Sequence, residues 1–285
     1  MPEHVSGRAR ALLEGRWQPP PARDASTVVL LRDGRELETY LMRRAGSMEF
    51  AAGMYVFPGG RIDDADLTDD PPWAGRSVDA GRLTASEGQA RALVVGAVRE
   101  VFEETGVLLA VDEQGRTAVE DDRWEEDRRS VATSSVALSD VLARRGLAID
   151  PALILPWTHW VTPEVESKRY DVRFFVASVP QGQRVRDVSG EADLVRWVAP
   201  AAALADYARG DLPMLPPTVA TLADLVDFPD AAAVLAHAPH RDVRPLMPRP
   251  RLDGGVVAWD VIDVRDSSVV VRLPAEPAGS EVEGA

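Results

Sequence analysis

Three glutamates within five residues, Glu100, Glu103 and Glu104, are the side chains of this 285-residue chain most suited to act together. At about 100° per residue a helix would gather them into an arc of about 100°. The opposite face would carry Leu93, Val94, Ala97, Val98, Val101 and Phe102, and Gly96 would fall inside the acidic arc. Like charges three and four residues apart repel by about 0.2–0.5 kcal/mol per pair, so such a helix gains nothing unless a cation joins it. A hard divalent ion, Mg²⁺ or Mn²⁺, takes oxygen ligands and keeps positions for water and phosphate oxygens. By themselves the three carboxylates read sooner as the solvated face of an amphipathic helix, which is common.

The elements that must position them can be read on either side. Residues 87–105 carry the helical period, and Gly106 is a plausible stop. Residues 27–31 and 37–42 flank Asp33-Gly34 as a β-hairpin would, and 55–57 read as a strand stopped by Pro58-Gly59-Gly60. The acidic, Pro-containing stretch 62–86 has no clear period and reads as an inserted loop. Further strands are expected at 107–111, 153–160, 173–179 and 194–198, and a terminal β pair at 256–264 and 268–273. Residues 121–145 read as a mainly helical insertion, and 200–209, 217–227 and 230–237 as short helices. Domain limits follow: a polar leader at 1–24, the main domain at 25–240 with insertions near 61–86 and 121–145, and an extension with a tail at 241–285.

The string Arg99-Glu100-Val101-Phe102-Glu103-Glu104-Thr105-Gly106-Val107 resembles the signature helix of the Nudix hydrolases, R-E-U-x-E-E-x-G-U with U apolar. A fixed R-E-x-x-E-E-x-G string should arise by chance in roughly one chain of this length in a few thousand. The resemblance implies an α/β fold, an α/β/α sandwich around a mixed β-sheet, here with a helical insertion and C-terminal helices. It also implies Mg²⁺ or Mn²⁺ held by Glu100, Glu103 and Glu104, catalytic roles for Glu103 and for Arg99 as the orienter of a carboxylate, and a small-molecule diphosphate substrate. The first half of the family box departs from pattern: its Gly and Glu would fall at Ala85 and Arg91. Gly60 then serves as the loop glycine, 61–86 become an insertion within the box, and Glu87 is a candidate for the missing carboxylate.

Arg44, Gly53, Phe57-Pro58-Gly59-Gly60 and Asp63 are similar in spacing to members that cleave coenzyme A, although Ala45 and Met48-Glu49 differ from their pattern. Thr162-Pro163, Arg169-Tyr170-Asp171 and Phe174-Phe175 resemble peroxisomal members that also have an insertion in the box. The expected substrate is coenzyme A or an acyl derivative, with ADP-ribose, NADH-type dinucleotides and nucleoside diphosphate sugars as alternatives. A nucleotide sensor without activity is a third reading, which the intact glutamates oppose. Substrate contacts are expected from Gly59 and Gly60 and from Arg43, Arg44 and Arg169, since guanidinium pairs two phosphate oxygens at once. Glu191 matches the place of a further catalytic glutamate in some members. His159, between Trp157 and Trp160, reads as packed core, and His237 and His240 form no metal pattern with it.

Composition removes other classes. With 46 acidic against 32 basic residues, the net charge of −14 opposes binding to nucleic acid or an anionic membrane. The absence of cysteine excludes disulfides, thiolate metal sites and cysteine nucleophiles. G-x-S-x-G, P-loop and dinucleotide glycine motifs are missing. No signal-peptide pattern or long apolar span is found, so a cytoplasmic location is expected, and a homodimer stays open.

Overall fold

Val28-Val29-Leu30-Leu31 and Tyr40-Leu41-Met42 are apolar at every position, the pattern of strands covered on both faces. In the computed structural model, which describes residues 3–46, 51–75, 77–83, 86–186, 192–254 and 256–272, they lie in β1 (Arg23–Asp33) and β2 (Leu37–Arg44), paired antiparallel with Leu31 opposite Thr39. Val28, Leu30, Tyr40 and Met42 join the main core, while Val29, Leu31 and Leu41, pointing the other way, are just as buried. The sheet is therefore a middle layer.

Two units are distinguished, the larger formed by Ala25–Thr158 and Arg173–Val243. Its strands run in the order β7 (Leu155–Val161), β8 (Tyr170–Ser178), β1, β2, β3 (Tyr55–Val56), with β4 (Gly59–Arg61) on β1 and β9 (Ala192–Val198) on β2. One face is covered by α4 (Glu87–Thr105), begun by the Ser86 hydroxyl, which accepts from the Gln89 amide, and ended by Gly106 at φ 76°. All six apolar positions expected to face inward are buried, and they meet Val28, Leu30, Tyr40 and Phe175. Ala90 and Val95 are buried as well, in the same core that Trp124 of α5 (Trp124–Ala132) and Val141 and Leu142 of α6 (Leu138–Arg145) join. The C-terminal helices are α7 (Pro200–Ala208), which reaches β2, α8 (Pro216–Leu225) and α9 (Ala231–His237). His237 stacks in an aromatic group with Trp157 and Phe228.

Several expectations are corrected. The stretch read as a loop contains α2 (Asp64–Thr68) and α3 (Ala80–Leu83), helices too short to show a period. Gly59 and Gly60 do not merely stop a strand but form β4, with Gly59 opposite Thr27 and Gly60 opposite Ser26. Of 107–111, only β5 (Ala110–Val111) is a strand, paired with β6 (Ala148–Ile149). Residues 151–153 are a turn of 3₁₀ helix, favoured by Pro151, ahead of β7.

The smaller unit comprises Met1–Asp24, His159–Val172 and Arg244–Ala285. The leader holds a helix, α1 (Glu3–Leu13), whose Ala9 packs on Val165 beside Val257 and Trp259. β11 (Val256–Asp263) and β12 (Val269–Arg272) form the expected terminal pair, preceded by an unexpected β10 (Pro245–Asp253). Three prolines hide β10 in the sequence; beyond Pro245 and Leu246, which pair with His159 and Trp160, its second edge carries no partner strand among the described residues. The tail expected after 273 lies outside the described residues, as do Met48, Glu49, Ala85 and Glu191. No helix among the described residues is long and apolar enough to cross a membrane.

Candidate active site

β4 runs alongside the acidic face of α4. Gly59, at φ 152°, is pressed so close to β1 that a Cβ would stand 2.3 Å from the Ser26 carbonyl oxygen, and its amide donates to Glu104 Oε2 at 2.8 Å. A Cβ on the next residue, Gly60, would stand 2.3 Å from Glu100 Oε1. The Ser26 hydroxyl, in turn, donates to the Leu93 carbonyl at 2.7 Å, joining β1 to the same helix. Two glycines thus meet two of the three glutamates across some forty residues of chain.

Arg99 stands among the carboxylates. Its Nη1 donates to Glu100 Oε1 at 2.9 Å and to Glu103 Oε1 at 3.2 Å. Nε and Nη2 donate to the two oxygens of Asp66, each at 2.8 Å, and Nη2 also to the Arg61 carbonyl. Burial works against the guanidinium charge, but the bonds to Asp66 and the charges of Glu100 and Glu103 hold it firmly protonated. Burial pushes the Glu100 carboxyl up to about 7, with Arg99 opposing and Glu103 adding to the rise. Glu103 is raised for the same reason, again against Arg99. Glu104 is 6% exposed.

A metal is to be tested against this donor set. Among the described residues no three His, Asp or Glu side chains converge into a ready-made cage. The chemistry nevertheless fits a hard divalent cation. All three donors are carboxylates, two are destabilised as anions by burial, and Arg99 is the cation bonded to both. An added positive ion would relieve that burial cost.

The C-terminal end of α4 is held from outside the helix. Arg128 Nη1 donates to the Glu103 carbonyl at 2.7 Å, Trp124 Nε1 to the Gly106 carbonyl at 2.8 Å, and the Arg186 amide to the Thr105 carbonyl at 2.9 Å.

Arg43, on β2 opposite Tyr55, is bonded to Asp193 at 2.6 Å and half exposed; Arg44 ends the same strand. Arg169 belongs to the smaller unit, where its guanidinium donates to the carbonyls of Pro20 and Thr162. His159 is buried in that unit and bonded to Asp171. Glu87 is exposed at the start of α4, and Arg91 is bonded to Asp70 and lies over Trp73. Asp66, Trp124 and Arg128 were missed from sequence; Asp66 had a pointer, because once Gly60 is taken as the loop glycine the acidic position of the box, six residues on, falls at Asp66.

Residues 78–225 match the family model described as the NUDT19 Nudix domain. The chain is 24% identical over 286 residues to the acyl-coenzyme A diphosphatase NUDT19 of Xenopus laevis, covering 85% of this chain and 71% of that protein. It is 22% identical over 237 residues to the protein of the same name from Gallus gallus, covering 68% of this chain and 62% of that one. Among solved structures, a NUDIX hydrolase from Alicyclobacillus acidocaldarius aligns with a TM-score of 0.62 at 30% identity, over 76% of this chain and 96% of the other.

Proposed function

The chain belongs to the Nudix hydrolases, in the NUDT19 Nudix domain family, and is an enzyme that hydrolyses phosphoanhydrides; from that premise we propose that its substrate is coenzyme A or an acyl derivative of it. The observation that carries the site is the seating of Gly59 and Gly60 against Glu104 and Glu100. The substrate class is supported by the two relatives named acyl-coenzyme A diphosphatase.

In this reading Glu100, Glu103 and Glu104 hold Mg²⁺ or Mn²⁺, which when bound neutralises the diphosphate and lowers the pKa of a water. Arg99 keeps the Glu100 and Glu103 carboxylates from turning toward solvent, and Glu103 accepts a proton from the attacking water. That water forms a new P–O bond while the bridging P–O bond breaks, the bridging oxygen leaving with the other phosphate. Arg43 and Arg44 contact substrate phosphates. Catalysis is then chiefly positional and electrostatic.

The test is incubation of the purified full chain with Mg²⁺ and, separately, coenzyme A, acetyl-coenzyme A, ADP-ribose and NADH, with products read by mass spectrometry. The expected products are 3′,5′-ADP and a 4′-phosphopantetheine. Release of AMP from ADP-ribose with coenzyme A left intact would assign the alternative substrate.

A further inference from the structure

In a chain of net charge −14, four arginines, Arg116, Arg123, Arg144 and Arg145, line a single cavity of about 590 Å³. Arg116 comes from the loop after β5, Arg123 from the residue before α5, and Arg144 and Arg145 from the last turn of α6. Asp112, Asp121 and Asp127 share the lining, so four guanidiniums against three carboxylates leave it positive. Glu100, Glu103 and Glu104 are not among the residues that line it.

The carboxylates do not use up the guanidiniums. Arg145 is fully committed: Nε donates to Asp127 at 2.5 Å, Nη1 and Nη2 donate to Asp121 at 3.1 and 2.9 Å, and the group lies over the Trp124 ring. Arg144 also donates to Asp127, but through Nη2 alone, and its side chain is half exposed. Arg116 holds Asp112 and Gln114 through Nε and Nη2. Arg123 donates to Asp121 from its backbone amide at 3.0 Å, while its guanidinium makes no hydrogen bond or ion pair among the described residues. Each uncommitted N–H is a donor of the kind that takes a phosphate oxygen.

The same lining has an apolar part. It includes Leu147 and Val119, and Val119 is 68% exposed. The volume falls in the range of roughly 300–1,000 Å³ usual for small-molecule sites, in which a few polar groups fix a ligand against apolar side chains.

We propose that this cavity is a second binding site, for a phosphorylated small molecule of nucleotide size. Arg123 and Arg144 take the phosphate, Val119 and Leu147 meet the apolar body, and Arg145, fixed by Asp121 and Asp127, forms a rigid wall. The site is independent of which diphosphate the enzyme cleaves.

The test is titration calorimetry on the full chain with 5′-AMP, adenosine and inorganic phosphate as probes, in excess chelator so that no metal draws phosphate to the glutamates. 5′-AMP should bind at one equivalent, more tightly than inorganic phosphate and about 10-fold or more tighter than adenosine, and less tightly as salt rises. Arg123→Gln and Arg144→Gln should each weaken 5′-AMP by about 10-fold with melting near wild type, and either serves if the other does not fold. Val119→Asp, which sets a further carboxylate beside the phosphate, should weaken it as well. Arg43→Gln and Glu103→Gln should bind 5′-AMP as the wild type does.

No binding of 5′-AMP by the wild type, or adenosine binding as tightly, would overturn the proposal. So would binding that is lost in Arg43→Gln and kept in Arg123→Gln and Arg144→Gln. That result would seat the nucleotide at the diphosphate site, in support of Arg43 as a substrate contact, and leave the arginine cavity a scaffold.

Discussion

Gly60 and Glu100 are separated by so little that no side chain fits between them: a Cβ on Gly60 would lie 2.3 Å from one carboxylate oxygen and 2.7 Å from the other. What would yield is the far end of the Glu100 side chain. Gly60→Ala should therefore leave melting near wild type while displacing Glu100 and lowering kcat/KM by about 10-fold or more. Gly59→Ala differs in kind, since its Cβ would meet the Ser26 carbonyl oxygen and Thr27 Cα, both backbone. That substitution should cost about 1–3 kcal/mol of stability. Thermal melting and steady-state kinetics on both variants separate the two; equal melting losses would contradict the assignment of Gly60 to the site.

Glu103→Gln should remove at least about 10²-fold of the activity, through loss of a ligand or a positioned base. The same assay in excess chelator should show none. Full activity with chelator present would refute a metal-assisted mechanism.

Neutralising Glu100 should not destabilise the metal-free protein. Its folded-state carboxyl, held up at about 7 by burial, makes ionisation at neutral pH unfavourable to folding. Glu100→Gln should thus melt at or slightly above the wild type in chelator. The wild type should gain RT ln(1 + [L]/Kd), about 2.7 kcal/mol at 100 times Kd, when Mg²⁺ or Mn²⁺ is added, and the variant should lose most of that gain. Equal metal responses in the two proteins would show that Glu100 is not a ligand.

Acid should weaken the packing of α5 through Glu125. Hydrogen bonds from Arg128 lead in holding its carboxyl down at about 2, against some burial, with Arg129 adding to the fall. A depressed folded-state value contributes stability that is complete above the unfolded value of 4.5 and lost as pH falls toward about 2. Glu125 is about one-third exposed, which limits the effect to about 1 kcal/mol. Urea unfolding at pH 7 should show the wild type ahead of Glu125→Gln, with the gap narrowing by pH 3. A gap independent of pH would exclude this pairing.

The helix of residues 87–105 was legible because period and stop agree: six apolar positions on one face and Gly106 after it. The strands β1 and β2 were legible as the two arms that flank Asp33-Gly34. What stayed hidden depends on distance along the chain. Asp63, Asp64, Asp69 and Asp70 are alike as sequence, and only folding selects Asp70 for Arg91. Gly59 reads as a turn residue until Glu104, 45 positions later, is found beneath its amide. Short helices such as α2 have no repeat to detect, and the prolines of β10 argue locally against a strand that its neighbour β11 nonetheless secures.

The carbonyls that close the acidic helix are bonded by Trp124, Arg128 and Arg186, all later in the chain than the helix itself. During synthesis from the N-terminus, the turn bearing Glu103 and Glu104 therefore exists for some eighty residues of elongation before its last clasp is made. At about 5–20 residues per second that interval lasts several seconds. Through it, the nascent chain carries a cluster of like charges whose final support has not yet emerged, which makes 107–186 the stretch where a pause or a truncation would most expose the unfinished site.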